Sequence, residues 1–270
     1  MIRLALLSLL LTSLPACSAN GEPDWRIEGP LDAGESFIAY LVAYRNAGLS
    51  LHAMVAVPTM PVPERGFPVV IANHGYVPEP RKYGITADGR DSRPGDYYRS
   101  VPELYTSRGF LVVIPDYRGH NRSEGYDQIK GRNYESVDLY AEDVLALVEQ
   151  LRQIQDADIQ NVFIWSHSMG GAVAMRVLLA TDAIKAASFW STMSVDNLSG
   201  QFNQLGVPIF IQHAVGDKST EFSNSERLAL ALNALGHPHE FHSYDTNDHF
   251  FEGEIRQRAA DLDADFFLSL

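Results

Sequence analysis

Apolar residues follow two rhythms along this chain. Positions 36–44 and 49–57 are rich in Phe, Ile, Val, Leu and Tyr, and Arg45, Asn46, Ala47 and Gly48 between them form a turn signal, so the pair predicts a β-hairpin. Positions 68–72, 110–114, 161–165, 186–190 and 208–212 are near-continuous apolar runs of strand length, as strands covered on both faces require, and 240–244 is a weaker run of the same kind. Between these runs the period lengthens. Val137, Tyr140, Val144, Leu147, Val148, Leu151 and Ile154 fall on one helical face. Positions 169–180, 221–235 and 251–270 predict three more helices, with Gly236 as a stop after the second. Antiparallel strands followed by alternating strand and helix predict an α/β chain: a mostly parallel central sheet with an N-terminal antiparallel hairpin and helices on both faces.

Residues 1–16 stand apart from this pattern. Arg3 gives a positive start, and 4–14 is an apolar run interrupted only by Ser8, Thr12 and Ser13. The run is too short to span a bilayer as a stable helix but suits the core of a signal peptide. Leu14, Pro15, Ala16 and Cys17 resemble a bacterial lipobox, in which the cysteine is lipidated and becomes the mature N-terminus; cleavage after Ala19 is the alternative. The expected organisation is a signal peptide over 1–16, a lipoprotein tether over 17–35 and one domain over 36–270. The expected location is the cell envelope, with the membrane reached only through a lipid anchor at Cys17. The other cleavage would give a soluble periplasmic or secreted protein.

Cys17 is the sole cysteine of the 270 residues, so the chain forms no intrachain disulfide and no cysteine-based zinc site. Asp and Glu (34) outnumber Lys and Arg (21), for a formal net charge of -13. Such a surface repels phosphate backbones, and no nucleic acid is expected as a partner.

The chemistry gathers at four strand ends. Ser166, His167, Ser168, Met169, Gly170 and Gly171 lie where an apolar strand runs straight into a helix, close to the Gly-x-Ser-x-Gly nucleophile elbow with Ser168 at its centre. A helix N-cap serine after a buried strand would read the same way. In the elbow reading the Met169 N–H points where an oxyanion would form. Asn73, His74, Gly75 and Tyr76 end an earlier strand; Gly75 allows close backbone approach and Tyr76 N–H is the second oxyanion candidate. Asp217 sits in a turn after the 208–212 run and could orient a histidine, or simply bond its own backbone. His249 lies in the polar loop before the last helix and is the candidate general base. The chain order Ser168, Asp217, His249 favours it over His74, which reads as a hydrogen-bonding loop residue.

Taken together these segments resemble the α/β-hydrolase superfamily, and within it the catalytic domain of the prolyl oligopeptidase family (peptidase S9) and the dienelactone-hydrolase-like esterases. Asp116, Tyr117, Arg118 and Gly119, with Ser123, Glu124 and Gly125, add to the likeness. It covers roughly residues 36–270 in family order. The resemblance implies an α/β-hydrolase fold, Ser168 as nucleophile, Asp217 as acid, His249 as base, and Tyr76 and Met169 as oxyanion donors, with no cofactor. It implies a structural role for Asp116 and Arg118. Departures are Ser166 for the first Gly of the elbow and Ala214 for a Gly after the seventh strand of the family.

Only a short segment separates Ser191 from Pro208, so no large cap is expected and the site should be open. The long insertion is instead 77–105, with Arg81, Lys82, Arg90, Arg93 and Arg99 beside Tyr83, Tyr97 and Tyr98; it reads either as a holder of an acidic or aromatic substrate or as a solvated loop. His237, His239 and His242 alternate faces of a short strand, and Asp261, Asp263 and Asp265 lack the glycine of a calcium loop, so no metal site is expected. The expected activity is carboxylic-ester hydrolysis on a small-molecule substrate. The alternative is a serine peptidase acting on short peptides, and a silent ligand-binding lipoprotein is a third.

Overall fold

The computed structural model describes residues 24–87 and 96–270. The expected signal peptide, Cys17, Arg90 and Arg93 lie outside the described residues. Nine strands form one sheet: β1 (Trp25–Leu31), β2 (Phe37–Asn46), β3 (Leu49–Pro58), β4 (Phe67–Asn73), β5 (Leu111–Asp116), β6 (Ala157–His167), β7 (Ala186–Trp190), β8 (Ile209–Ala214) and β9 (His239–Tyr244). Their order across the sheet is β1-β2-β3-β5-β4-β6-β7-β8-β9. The hairpin β2–β3 pairs antiparallel in register Phe37 with Pro58 through Asn46 with Leu49, and β3 runs antiparallel to β5. From β5 to β9 every pairing is parallel.

Parallel strands need crossovers, and the crossover helices cover both faces. On one face α2 (Val137–Gln150), α3 (Met169–Ala180) and α4 (Phe222–Ala234) close a core around Ile71, Val113 and Ile164. On the other, α1 (Ser100–Thr106) and α5 (Gly253–Leu268) close a second core with Trp165, Trp190 and Phe163. The central strands point apolar side chains to both sides, which is why they read as unbroken apolar runs.

Part of the stretch read as a tether over 17–35 belongs to the sheet. Trp25–Leu31 is an edge strand that pairs antiparallel with β2, bulged between Ile27 and Gly29. Its side chains are only partly covered, so its alternation is weak and Gly29-Pro30 disguises it. The connection between β7 and β8 holds a 3-10 helix at Asp196–Gln204 and no larger element.

Two buried carboxyls tie the layers together, one joining α5 to α1 and the sheet, the other joining β5 to the segments around residues 85, 98 and 121. Asp263 of α5 accepts from Tyr105 Oη at 2.6 Å, Trp190 Nε1 at 2.8 Å and Gln212 Nε2 at 2.6 Å. Asp116, at the end of β5, accepts from Tyr98 Oη at 2.6 Å and from Ile85 N–H and Asn121 Nδ2 at 3.2 Å. Burial outweighs these donors and pushes both carboxyls up to about 7. In the unfolded chain they titrate near about 4, so between about pH 4 and 7 the folded state holds more protons and stability falls as pH rises. The melting temperature is therefore expected to be lower at pH 7.5 than at pH 5, with a smaller decline in Asp263→Asn. An identical decline in that variant would exclude Asp263 as a source.

Candidate active site

Ser168 is the single residue between β6 and α3. Its backbone is left-handed, with φ 56° and ψ -121°, a conformation that costs a non-glycine residue energy. The surroundings hold it there: Ser168 N–H donates to Trp190 O at 3.0 Å, and Gly171 and Met193 N–H donate to Ser168 O at 3.1 and 3.2 Å. The glycines after it are steric necessities. A Cβ on Gly170 would lie 2.1 Å from Asn73 O, and one on Gly171 would lie 2.1 Å from Thr192 Oγ1. Without them α3 could not press its first turn against the end of β4 on one side and the segment after β7 on the other. Ser166 tolerates the place of a glycine because its buried hydroxyl donates to Ser188 O at 2.9 Å.

The loop after β4 reaches the same point. A Cβ on Gly75 would come within 3.0 Å of Ser168 Cβ and 2.7 Å of Tyr97 Oη, so Tyr76 follows a residue already in contact range of the serine. Tyr76 and Met169 both line the cavity that holds Ser168. Met169 opens α3, so its N–H has no acceptor within the helix and sits at the positive end of the helix dipole. His74 is buried elsewhere: its ring stacks on Tyr117 at 4.3 Å and its Nδ1 lies 2.9 Å from Gly75 O.

Asp217 and His249 meet as the chain order suggested. His249 Nδ1 lies 2.6 Å from Asp217 Oδ2, with the Asp217 side chain fully covered and that of His249 25% exposed. Asp217 Oδ1 accepts from Ser219 and Thr220 N–H at 2.7 and 3.1 Å, and Thr220 Oγ1 donates to Oδ2 at 3.0 Å. Burial raises the Asp217 pKa. Hydrogen bonds from His213 and His249, the charge of His249 and the Ser219 N–H reverse that and hold the carboxyl well below the usual carboxylate range. It stays ionised, as an orienting group for an imidazole must.

Sequence reasoning gave no part to several residues now at the site. His213, in the Asp217 segment, is buried with Nε2 3.3 Å from Asp217 Oδ2 and Nδ1 2.7 Å from Ser225 Oγ. His167 precedes the serine and supports His249. Its Nε2 is 2.8 Å from His249 O, and its ring lies 4.4 Å from the His249 ring. A carbonyl only accepts, so Nε2 carries the proton, and in the neutral ring Nδ1 accepts from Tyr97 Oη at 2.5 Å. The insertion thus contributes Tyr97 to the support of His249, through His167, and Tyr98 to Asp116. Its described cations are engaged elsewhere: Arg81 stacks on Tyr126 at 4.0 Å, Lys82 pairs with Glu79 at 2.6 Å and Arg99 with Asp96 at 3.9 Å. The arginine in the cavity is Arg256, from the first turn of α5.

The cavity has a volume of about 600 Å³, within the range of small-molecule sites. Tyr76 and Tyr134 form one aromatic wall, their rings edge to face at 5.7 Å. Among the described residues no group of His, Cys, Asp and Glu is arranged to hold a metal ion. His237 Nε2 faces Val207 O at 2.8 Å, and Asp263 is spent on the α5 network.

A family model described as serine aminopeptidase, S33, matches residues 78–199, a stretch that includes Ser168 and stops before Asp217. The chain is 22% identical over 253 residues to a protein of Bacillus subtilis (strain 168) named Uncharacterized peptidase YtmA, covering 81% of this chain and 89% of that protein. Acylaminoacyl peptidase of Pyrococcus horikoshii superposes with a TM-score of 0.65 at 17% identity over 92% of this chain; this chain spans only 50% of that one. Acetyl xylan esterase 1 of Thermoanaerobacterium sp. JW/SL YS485 superposes with a TM-score of 0.65 at 14% identity, covering 93% of this chain and 89% of that one. The sheet order, the strand-to-helix turn at Ser168 and these likenesses agree: this chain has the α/β-hydrolase fold.

Proposed function

We propose that this chain is a serine hydrolase that cleaves carboxylic esters through an acyl-enzyme. The observation that carries the reading is the 2.6 Å contact of Asp217 with His249 Nδ1 beside a cavity that also holds Ser168 on a strained turn. With Nδ1 committed to Asp217, His249 is left with Nε2 to take the Ser168 proton. Ser168 Oγ then bonds to the carbonyl carbon while the Met169 and Tyr76 N–H groups hold the oxyanion. The carbon–oxygen bond to the alcohol breaks, and the alcohol leaves with the proton from His249. Water repeats the sequence: it gives its proton to His249, attacks the acyl carbon, and releases the acid as Ser168 recovers its proton.

The second reading, a peptidase on short peptides, is favoured by the S33 match and by the names of two of the relatives. An amide has the poorer leaving group, and its nitrogen must be protonated in a tightly held pose. With only a 3-10 helix between β7 and β8, this cavity has few surfaces to grip a peptide. For substrates matched in acyl group, kcat/KM is expected to be higher for the ester than for the amide by about 100-fold, the scale on which small misplacements act. Equal or greater efficiency on a native peptide bond would promote the peptidase reading.

A further inference from the structure

Arg256 stands out among the residues around Ser168. Its Nε donates to Phe251 O at 2.8 Å, and its guanidinium carbon lies 4.7 Å over the Phe250 ring. Those two contacts fix the plane of the guanidinium. Its terminal nitrogens, Nη1 and Nη2, have no hydrogen-bond acceptor among the described residues, and the residue lines the catalytic cavity. Burial pulls its pKa down, against the pull of Glu252 and Asp248, so the charge is partly desolvated. Neither carboxylate forms an ion pair with it. Asp248 Oδ2 accepts from Thr246 Oγ1 at 2.9 Å, and Glu252 is exposed on the cavity rim.

The parts that aim Arg256 are the residues next to the base. His249, Phe250 and Phe251 are consecutive. Phe250 packs edge to face on His167 at 4.7 Å and on Tyr97 at 5.2 Å, and Phe251 is wedged against Trp190 and Tyr244 at 4.9 and 4.8 Å. Phe251 has a left-handed backbone, φ 49°, unfavourable for an aromatic residue and the means by which its carbonyl turns toward Arg256. A fork held by stacking and by Nε, with two donors left over, matches the two oxygens of a planar anion.

We propose that Arg256 is the substrate-orienting residue of this cavity and that it takes the carboxylate of an ester whose acyl or alcohol part carries a free acid. The inference rests on the serine-hydrolase reading and sharpens its substrate class. The carboxylate would be held by the same loop that carries the base, so charge recognition sets the distance between the scissile carbonyl and Ser168. A substrate carrying an ammonium group would be turned away by Arg256 and drawn to Asp248 and Glu252, and selects the opposite outcome.

The test uses the full chain and paired esters. 4-Nitrophenyl hemisuccinate and hemiglutarate are compared with their methyl-capped counterparts for the acyl side, and 4-acetoxybenzoate with its methyl ester for the alcohol side. In wild type the free acid of at least one pair is expected to have the higher kcat/KM. In Arg256→Gln the acid-to-capped ratio of that pair should fall about tenfold or more, the scale of a charge-assisted hydrogen bond. Arg256→Lys should restore part of the ratio. A ratio is read within one preparation, so a loss of folded protein does not imitate the effect. Turnover of capped esters with no preference for the acid, or a preference that survives Arg256→Gln, overturns this inference alone. No turnover of any ester overturns the serine-hydrolase reading with it.

Discussion

Ser168→Ala is expected to lower ester turnover by on the order of 10⁵-fold, since loss of the nucleophile in a triad costs about as much as loss of all three members. The substitution removes one oxygen and leaves the backbone contacts that hold the elbow, Ser168 N–H to Trp190 O and Gly171 N–H to Ser168 O, in place. Alanine meets the same left-handed backbone with the same Cβ, so the melting temperature should stay close to that of wild type. Labelling by a fluorophosphonate, which bonds covalently to an activated serine, should vanish with turnover. Labelling that persists in the variant would move the nucleophile to another residue.

Asp217→Asn is expected to lower kcat by about 10⁴-fold, as loss of the orienting carboxylate does in such triads, with the fold retained. The direction follows from the donors around it. Ser219 and Thr220 N–H both aim at Oδ1, so the amide of the variant keeps its oxygen there and turns its NH₂ toward His249 Nδ1. An NH₂ needs an acceptor, which forces Nδ1 to lose its proton and Nε2 to carry one. A protonated Nε2 cannot take the proton of Ser168. Hydrogen bonds hold the Asp217 carboxyl well below its usual range, so it stays ionised, and able to orient His249, in mildly acid solution. A kcat within tenfold of wild type in the variant would mean that Asp217 does not orient the base.

The sequence was most legible where several constraints fell on the same residues. Buried parallel strands must be apolar on both faces, so β4 to β8 announced themselves, and each ended in a polar or glycine-containing segment at the same edge of the sheet. Ser168, Asp217 and His249 were readable because their order along the chain is a topological fact about this sheet: each lies just beyond the C-terminal end of its strand, β6, β8 or β9. Trp25–Leu31 was not readable, since an edge strand with few covered side chains has little apolar pattern to show. Nor were Arg256 and His167. Arg256 is aimed by a left-handed Phe251, and His167 by a carbonyl 82 residues away in sequence; neither backbone feature leaves a mark in composition or period. The insertion was legible only in part. Its cations and tyrosines stand together in the sequence, but which ring reaches the site was not readable: Tyr97 lines the cavity, while Tyr98 is buried against Asp116.

One hydrogen-bonded line, Tyr97 to His167 to the His249 carbonyl, joins the insertion to the loop that carries His249. In many enzymes of open architecture a surface loop can be exchanged for a relative's and carry its selectivity along, while the reacting groups stay indifferent. Here that modularity is lost. A loop taken from elsewhere would arrive without the hydroxyl that Tyr97 places on His167, the ring that contacts the His249 carbonyl. A change at Tyr97 is therefore felt at His249 through one intervening ring, and drift in the insertion should be tolerated at its rim well before it is tolerated at Tyr97.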